Sequence, residues 1–199
     1  MDIVERIHIY RNESSLGQWS IALCRPAPDL FDLIQAMWLG EGRVNYAVDR
    51  ILPTGSSHLL INLGPPQYLV DPVDPQRRRV FADIWYSGPQ HGPLDTAAPH
   101  GQRLLGIAFQ PAGARPWLGL DAVDSANQVL GLIDVLGADA ASLHRQLLDD
   151  TTAAACFARV ESWLRRRRQP RWEVSPAVAW SLRRLAEQRG QLSIEALRG

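Results

Sequence analysis

Short runs in which apolar and polar positions alternate fill the first 110 residues. Leu105, Ile107 and Phe109 alternate with two small residues, the period-two pattern of a strand that buries one face. Glycine and proline close these runs at frequent intervals. Many short strands with frequent turn signals favour a β-barrel or a β-sandwich. The pattern therefore predicts a β-rich segment over residues 1–110.

The apolar spacing changes to that of helices after Pro111. Proline can begin a helix because its missing N–H is not needed in the first turn. Apolar residues are four positions apart over residues 139–148, and a second helix is predicted to run to about Arg168 with either Thr151 or Thr152 as its N-cap. Residues 111–168 are therefore expected to be helical and to complete a first unit that spans residues 1–168.

A second unit is predicted after a linker over residues 169–174. Ser175 and Pro176 form a helix start, with the serine as N-cap and the proline in the first turn. The apolar stripe of this helix is Val178, Leu182 and Leu185, and Gly190 is its expected C-terminal cap. A further helix begins near Ser193 and is cut off at Gly199, so we expect the chain to be the front part of a longer protein; the alternative is a frayed C-terminal tail.

Composition and charge narrow the function classes. The chain carries 21 basic and 21 acidic residues, so its formal net charge is zero, and a chain without a basic surplus is a poor candidate for independent DNA binding. Cys24 and Cys156 have no CxxC partner and are expected to be reduced thiols of a cytoplasmic protein. No apolar run approaches the roughly 18 residues of a membrane span, so we expect no membrane partner.

Motifs of catalysis are missing from the sequence. It has no phosphate-binding glycine loop, no G-x-S-x-G elbow and no H-E-x-x-H helix. A β-barrel with histidines suggests a metal-dependent enzyme as one alternative, but no two histidines lie within five residues of each other. Ser56 and Ser57 are interpreted as turn serines that bond their own backbone. We therefore expect no catalytic residue, no metal and no cofactor.

Four segments together are similar to a known family. They are ILPTGSSHLLINLG at residues 51–64, SGPQ at 87–90, IAFQPAGARPWLG at 107–119 and LGLIDVLG at 130–137. In this order they resemble the N-terminal sensor regions of one branch of AraC-type transcriptional regulators. The sequence departs from the pattern at Thr54, Ala112 and Arg198, where the family usually has aspartate, glycine and alanine.

The resemblance implies an α+β fold, in which a cupin-like β-barrel or sandwich forms the N-terminal half and an α-helical appendage follows. It also implies a small-molecule effector, a homodimer and a DNA-binding domain of two helix-turn-helix units, whose first helix resembles residues 176–188. The recognition helices that read DNA in such domains would lie beyond Gly199. We therefore expect no DNA-binding residue in this chain and DNA contact only through the full-length protein.

Two groups of candidate site residues follow from the resemblance and the strand pattern. The expected ligand pocket of the barrel is formed by Trp38, Asn62, Trp85 and Tyr86. The alternative is that the aromatic residues belong to the core and that Asn62 caps a turn at its strand end. The expected dimer interface is the stripe of Phe157, Val160 and Leu164, which has the alternative of packing on the barrel.

The preferred function is the ligand-sensing and dimerisation region of an AraC-type regulator, which is not an enzyme. A stand-alone cupin-type enzyme of small-molecule metabolism is the alternative. A third possibility is a barrel that is filled by its own side chains and serves only for assembly.

Overall fold

Two antiparallel sheets and a set of helices make up the computed structural model, which describes residues 2–188, 191–193 and 195. The strands of this part of the chain are β1 (Ile7–Ser14), β2 (Gly17–Cys24), β3 (Ile34–Val44), β4 (Asp49–Ile51), β5 (His58–Asn62), β6 (Gln67–Val70), β7 (Arg78–Phe81), β8 (Ile84–Ser87), β9 (Leu94–Ala97), β10 (Gln102–Phe109) and β11 (Val129–Gly131). The helices are α1 (Arg115–Leu118), α2 (Ala122–Ser125), α3 (Leu132–Leu136), α4 (Ala138–Leu148), α5 (Ala153–Arg167) and α6 (Pro176–Glu187).

The larger sheet has seven strands in the order β1-β2-β3-β10-β5-β8-β11, and the smaller has four in the order β4-β9-β6-β7. The two sheets face each other across a small apolar cluster. Phe81 of the smaller sheet packs there against Trp85 of the larger one, with ring centroids 3.6 Å apart. The sheets therefore form a sandwich, whose interior lies between Leu60 and Leu69.

The main core lies on the opposite face of the larger sheet. Met37, Ile61 and Leu105 are fully buried there beneath α4 and α5. A buried ion pair adds to this contact, because the Arg6 guanidinium donates to the Glu161 carboxylate of α5 over 2.6 Å and 3.0 Å. The molecule therefore has three layers: the small sheet, the large sheet and the helices.

A row of paired residues crosses the sandwich side of the large sheet. Trp38 pairs with Gly106, Gly106 with Leu60, and Leu60 with Trp85. A Cβ atom placed on Gly106 would lie 2.2 Å from the Trp38 ring. The missing side chain at position 106 therefore gives the Trp38 indole the room to lie across the neighbouring strand.

The structure confirms the predicted α+β class, with a β-rich first half and helices after it. Of the two candidate N-caps, Thr152 is the one that caps α5, because its hydroxyl accepts a hydrogen bond from the Ala155 N–H over 3.2 Å. One element differs from the prediction of an all-helical segment over residues 111–168, since β11 lies inside it and pairs with β8. Three residues are too few for a period to be recognised, which is why the sequence pattern missed this strand.

The start of the second predicted unit has the expected helix, α6, which begins at Pro176. The Ser175 hydroxyl accepts a long hydrogen bond from the Val178 N–H, at 3.4 Å. The expected cap at Gly190 and the end of the chain at Gly199 lie outside the described residues.

Candidate functional site

A tight turn joins the last strand of the β-rich half to the first helix. Its backbone is tied to two neighbouring loops: the Phe109 N–H donates to the Ser57 carbonyl over 3.0 Å, and the Gln110 N–H donates to the Leu33 carbonyl over 2.9 Å. A Cβ atom on Gly113 would lie 2.1 Å from that Leu33 carbonyl oxygen. The turn over residues 110–114 is therefore held in place by the loops at 33 and 57, and it requires glycine at 113.

Ala112 has an unusual backbone conformation in this turn. Its φ is 62°, in the left-handed region that non-glycine residues adopt only at a cost of about 1–2 kcal/mol. The sequence pattern placed a departure from the family's glycine at this position. Ala112 therefore has a backbone conformation that glycine, the family's usual residue here, adopts without this cost.

The SGPQ segment forms a second fixed turn beside the first. The Gln90 side-chain amide donates to the Ser87 hydroxyl over 3.2 Å and to the Gly88 and Gln128 carbonyls, each over 3.1 Å. A Cβ atom on Gly88 would lie 1.9 Å from the Ser125 carbonyl oxygen. The SGPQ segment therefore packs closely against the end of α2 and bonds to residue Gln128 that follows it.

Arg115 connects the turn to the segment that precedes α6. Its Nε donates to the Asp121 carboxylate over 2.6 Å, and its Nη1 donates to the Trp172 carbonyl over 2.9 Å. The Gln169 N–H also donates to the Pro116 carbonyl over 2.8 Å. The predicted linker over residues 169–174 thus contains a 3-10 turn, Pro170–Trp172, and is bonded to α1.

The arginine run at the end of α5 has partners within the chain. Arg165 forms two hydrogen bonds to Asp29, at 2.7 Å and 2.9 Å. Arg167 contacts Asp139 over 2.6 Å, and Arg168 contacts Glu173 over 2.8 Å. These guanidinium groups hold the helix end and the following segment to the rest of the molecule.

A cavity of about 440 Å³ lies between the two turns and α6. This size is within the usual range for small-molecule sites, about 300–1,000 Å³. Most of its lining comes from three of the four segments that carry the family resemblance and from α6: Gly55, Ser57, Pro89, Gln110, Pro111, Ala112, Ala114 and Arg115 from the former, and Val178 and Leu182 from the latter. The remaining lining residues are Tyr86, Leu120, Asp121, Ala122, Val174 and Ser175. We call it the seam cavity.

A second cavity of about 490 Å³ lies on the other side of Pro111 and Ala112. Phe31 and Pro116 line it, and Leu182 of α6 borders both cavities. α6 therefore lies over the turn with a cavity on each side. The helix is largely exposed, since Val178 and Trp180 keep 46% and 44% of their surface accessible.

Three of the four predicted pocket residues, Trp38, Asn62 and Trp85, share one face of the large sheet, and the fourth, Tyr86, lies on the other face. Trp38 and Trp85 lie on the sandwich side of the large sheet, whereas Tyr86 lies on the helix side and borders the seam cavity. Asn62 closes the turn after β5: its Nδ2 donates to the Pro65 carbonyl over 2.9 Å, and its Oδ1 accepts from the Gly64 N–H over 3.1 Å. Its buried amide is thus occupied within the chain, as the turn-capping alternative describes.

The predicted dimer stripe packs inside the chain. Phe157, Val160 and Leu164 are fully buried in the core between α5 and the large sheet. The structure therefore shows the alternative of packing on the barrel, because this face of the helix has no surface to offer a second molecule. A dimer would have to use other residues.

The histidines and cysteines do not form a cluster. Among the residues that the structure describes, no three His, Cys, Asp or Glu side chains are arranged to hold a metal ion. Cys24 and Cys156 are buried free thiols, and burial raises the pKa of Cys24 to about 11 and also raises the pKa of Cys156. Both therefore stay protonated and are weak nucleophiles near neutral pH. No helix in the described ranges has the length and apolarity to cross a membrane.

Sequence reasoning missed two polar residues of the seam cavity. The sequence predicts Ser57 to be a turn serine, whereas in the structure this residue borders the cavity. Arg115 appeared only as the first residue of a helix. The spacing of the motifs gave no sign that residues near 57, 89 and 112 meet, because that contact depends on strand register.

Comparison with known proteins agrees with the motif pattern. The model of a domain of unknown function, DUF6597, matches residues 23–131, and this domain is found in AraC-like regulators. No curated protein sequence matches the chain.

Among solved structures, FeII HppE is similar over 55% of this chain and 59% of its own, with a TM-score of 0.42 and 9% identity. The AraC-like transcriptional activator CuxR is similar over 98% of this chain and 75% of its own, with a TM-score of 0.40 and 9% identity. A Bacillus subtilis oxalate decarboxylase variant has a TM-score of 0.35 and 12% identity, over 55% of this chain and 28% of its own. The chain thus spans little more than half the length of HppE.

Proposed function

Because the chain belongs to the DUF6597 family, whose domain is found in AraC-like regulators, we propose that it is the ligand-sensing region of such a transcription regulator. Residues 1–168 form the sensor, residues 169–174 connect it to the next unit, and residues 175–199 begin a helix-turn-helix domain. The proposed role is binding rather than catalysis. The protein is proposed to be cytoplasmic and to act as a homodimer.

The meeting of three motif segments beneath α6 carries this proposal. The segments near Ser57, Pro89 and Ala112 border one cavity, and the helix that starts the second unit borders it as well. A ligand in or near this cavity touches the sensor and α6 at once. It can therefore bind one position of α6 more tightly than another, which is the requirement for a ligand to shift a conformational equilibrium.

α6 is packed weakly against the sensor, so a ligand can change its position. Its apolar residues Val178 and Leu182 border cavities rather than a filled core. Burial contributes only about 25 cal/mol for each Å² of apolar surface, so a half-exposed helix is held weakly. A differential affinity of tenfold, about 1.4 kcal/mol, is then a large share of the free energy that seats the helix.

DNA is the proposed partner of the whole regulator. The net charge of this chain is zero, and the arginines at 165, 167 and 168 are paired with carboxylates. Both facts favour DNA contact through recognition helices of the helix-turn-helix domain rather than through the sensor. The alternative is a cupin-type enzyme. No group of described His, Cys, Asp or Glu residues that could hold a metal ion supports it.

A thermal-shift screen and a DNA-binding assay test the proposal together. A compound that binds the folded state raises the melting temperature in proportion to RT ln(1 + [L]/Kd). We expect a concentration-dependent rise with at least one class of small molecule. We also expect that compound to change the affinity of the product of the complete gene for its own promoter. If no compound raises the melting temperature and that product does not bind DNA, the regulator proposal is refuted.

A further inference from the structure

β1 is the longest of the strands that lie at the edges of the two sheets. It has eight residues, whereas the other three edge strands, β11, β4 and β7, have three or four. Ile9 and Tyr10 of β1 keep 56% and 60% of their surface accessible, one on each face of the sheet. Native proteins usually keep edge strands short or covered, because an open edge pairs readily with another chain. A long, exposed edge with apolar side chains is therefore a candidate interaction surface.

The pairing of β1 with β2 determines which backbone groups face the open edge. A two-residue turn joins these strands between Ser14 and Gly17, and the bond that closes such a turn makes this a hydrogen-bonded pair. Hydrogen-bonded and non-hydrogen-bonded pairs alternate along an antiparallel ladder, and this ladder has no shift in register. The N–H and C=O groups of Ile9, Arg11 and Glu13 therefore point away from β2, towards the open edge.

Two opposite charges lie along this edge. Arg11 and Glu13 are two positions apart, so their side chains share one face of β1, and both residues are exposed. If two copies of β1 run antiparallel with Asn12 at the axis, Arg11 of each copy lies directly opposite Glu13 of the other. Opposite charges at directly paired positions stabilise a sheet, and like charges destabilise it. The edge is therefore complementary in charge to a second copy of itself.

The backbone pattern selects the same register as the charges. In the Asn12-centred register, Arg11 and Glu13 pair through backbone groups that point outwards on both strands, as a hydrogen-bonded pair requires. A shift by one residue places outward-pointing groups opposite inward-pointing ones. A shift of the axis to Arg11 places this arginine opposite its own copy. Two independent features of the strand thus favour one pairing, in which residues 10–14 of the two copies lie side by side.

We propose that a second copy of this chain binds along β1, so that the two large sheets join into one continuous sheet about a two-fold axis at Asn12. This inference rests on the homodimer of the proposed function, and it assigns that dimer a surface because the stripe on α5 is buried. Such a two-fold contact is complete with two copies. It is smaller than a standard interface of about 1,600 Å², so we expect a dissociation constant in the micromolar range.

Sedimentation velocity of the full chain, from about 1 µM to about 1 mM, measures this dimer. Arg11→Glu and Glu13→Arg each replace two attractions by two repulsions, so each should weaken dimerisation about tenfold or more. The double variant Arg11→Glu/Glu13→Arg restores both pairs with the charges exchanged and should recover the wild-type affinity. A double variant as weak as the single variants, or a wild-type chain that stays monomeric throughout, overturns the proposal.

The same charge change on another edge strand provides the matched control. Arg78 is exposed on β7, and its neighbour Arg79 donates to the Val129 carbonyl of β11. β7 therefore lies beside the opposite end of the large sheet from β1. Arg78→Glu should leave the dissociation constant unchanged. An equal loss of affinity in Arg78→Glu and Arg11→Glu shows that net charge alone sets the association, which overturns the β1 surface.

Hydrogen exchange measured by mass spectrometry tests the location directly. The outward N–H groups of Arg11 and Glu13 exchange quickly when they face water and slowly when they are hydrogen-bonded. Peptides that cover residues 7–14 should therefore exchange more slowly at high than at low protein concentration, whereas peptides that cover β7 should not change. Dimer formation without slower exchange over residues 7–14 places the interface elsewhere and overturns the proposal.

These outcomes remain distinct from the test of the proposed function. A dimer that none of the β1 variants weakens keeps the homodimer and refutes the β1 surface. If the β1 variants behave as expected while the product of the complete gene shows no affinity for DNA, the β1 surface is confirmed and the regulator proposal fails.

Discussion

Replacement of Ala112 by glycine is expected to stabilise the protein. Ala112 has a φ of 62°, and a left-handed conformation costs a residue with a Cβ atom about 1–2 kcal/mol. Glycine removes that cost but adds about 0.4–1 kcal/mol of unfolded-state entropy. Because the alanine methyl is only half-buried, little packing is lost. The net gain in the free energy of unfolding should be about 0.5–1 kcal/mol.

Urea denaturation followed by far-UV circular dichroism measures this gain. For a chain of 199 residues, 1 kcal/mol corresponds to about 2–4 °C in melting temperature, so a thermal melt should show a rise of roughly 2 °C. The m-value should stay the same, because the variant leaves the surface exposed on unfolding unchanged.

The same substitution in a helix provides the matched control. Ala158 is exposed in the middle of α5, where glycine costs about 1 kcal/mol relative to alanine. Ala158→Gly should therefore lower the stability while Ala112→Gly raises it. If both variants lose stability by similar amounts, the turn does not hold residue 112 in the left-handed region and the reasoning fails.

Three further changes test other parts of the structure. Glu161→Ala should cost about 3–5 kcal/mol in urea denaturation, because it leaves the Arg6 guanidinium buried without its partner; adding Arg6→Ala should cost little more, and full additivity would argue against the pair. Gly106→Ala should cost about 1–3 kcal/mol, because the new methyl overlaps the Trp38 ring, and the additional change Trp38→Leu should recover part of the loss. Burial lowers the pKa of His58, so the folded state takes up fewer protons than the unfolded state, and the free energy of unfolding should fall as the pH drops from about 7 to 5. The variant His58→Gln should show a smaller fall over this range. If the variant and the wild type have the same pH profile, His58 is not the group responsible.

The alternation of apolar residues was sufficient to predict the strands around Ile107 and the two-part architecture. It also placed Trp85 and Tyr86 on opposite faces of one strand. It did not indicate which face lies against the helices, because both faces of the large sheet are covered and both are rich in apolar residues. For this reason the residues predicted to line one pocket lie on two different faces of the large sheet.

Sequence patterns could not predict the seam cavity, for a different reason. Ser57 and Arg115 each lie 29 residues from Tyr86 in the sequence and 58 residues from each other, and the three meet only through strand pairing and the turn geometry at Gly113. The resemblance named the segments that meet there, but not the contact between them. The buried stripe on α5 shows the same limit, since helical spacing reveals an apolar face but not what covers it.

The pairs that hold the segment before α6 have a consequence for the behaviour of the protein in different buffers. Arg168 pairs with Glu173 of this segment and with Asp32 of the sensor, both carboxylates near the surface, and attraction between exposed charges is screened as ionic strength rises. The Arg6–Glu161 pair is buried and is screened much less. Added salt should thus weaken the attachment of this segment to the sensor well before it affects the core, which makes ionic strength a simple means of separating the movement of the segment from the unfolding of the whole chain.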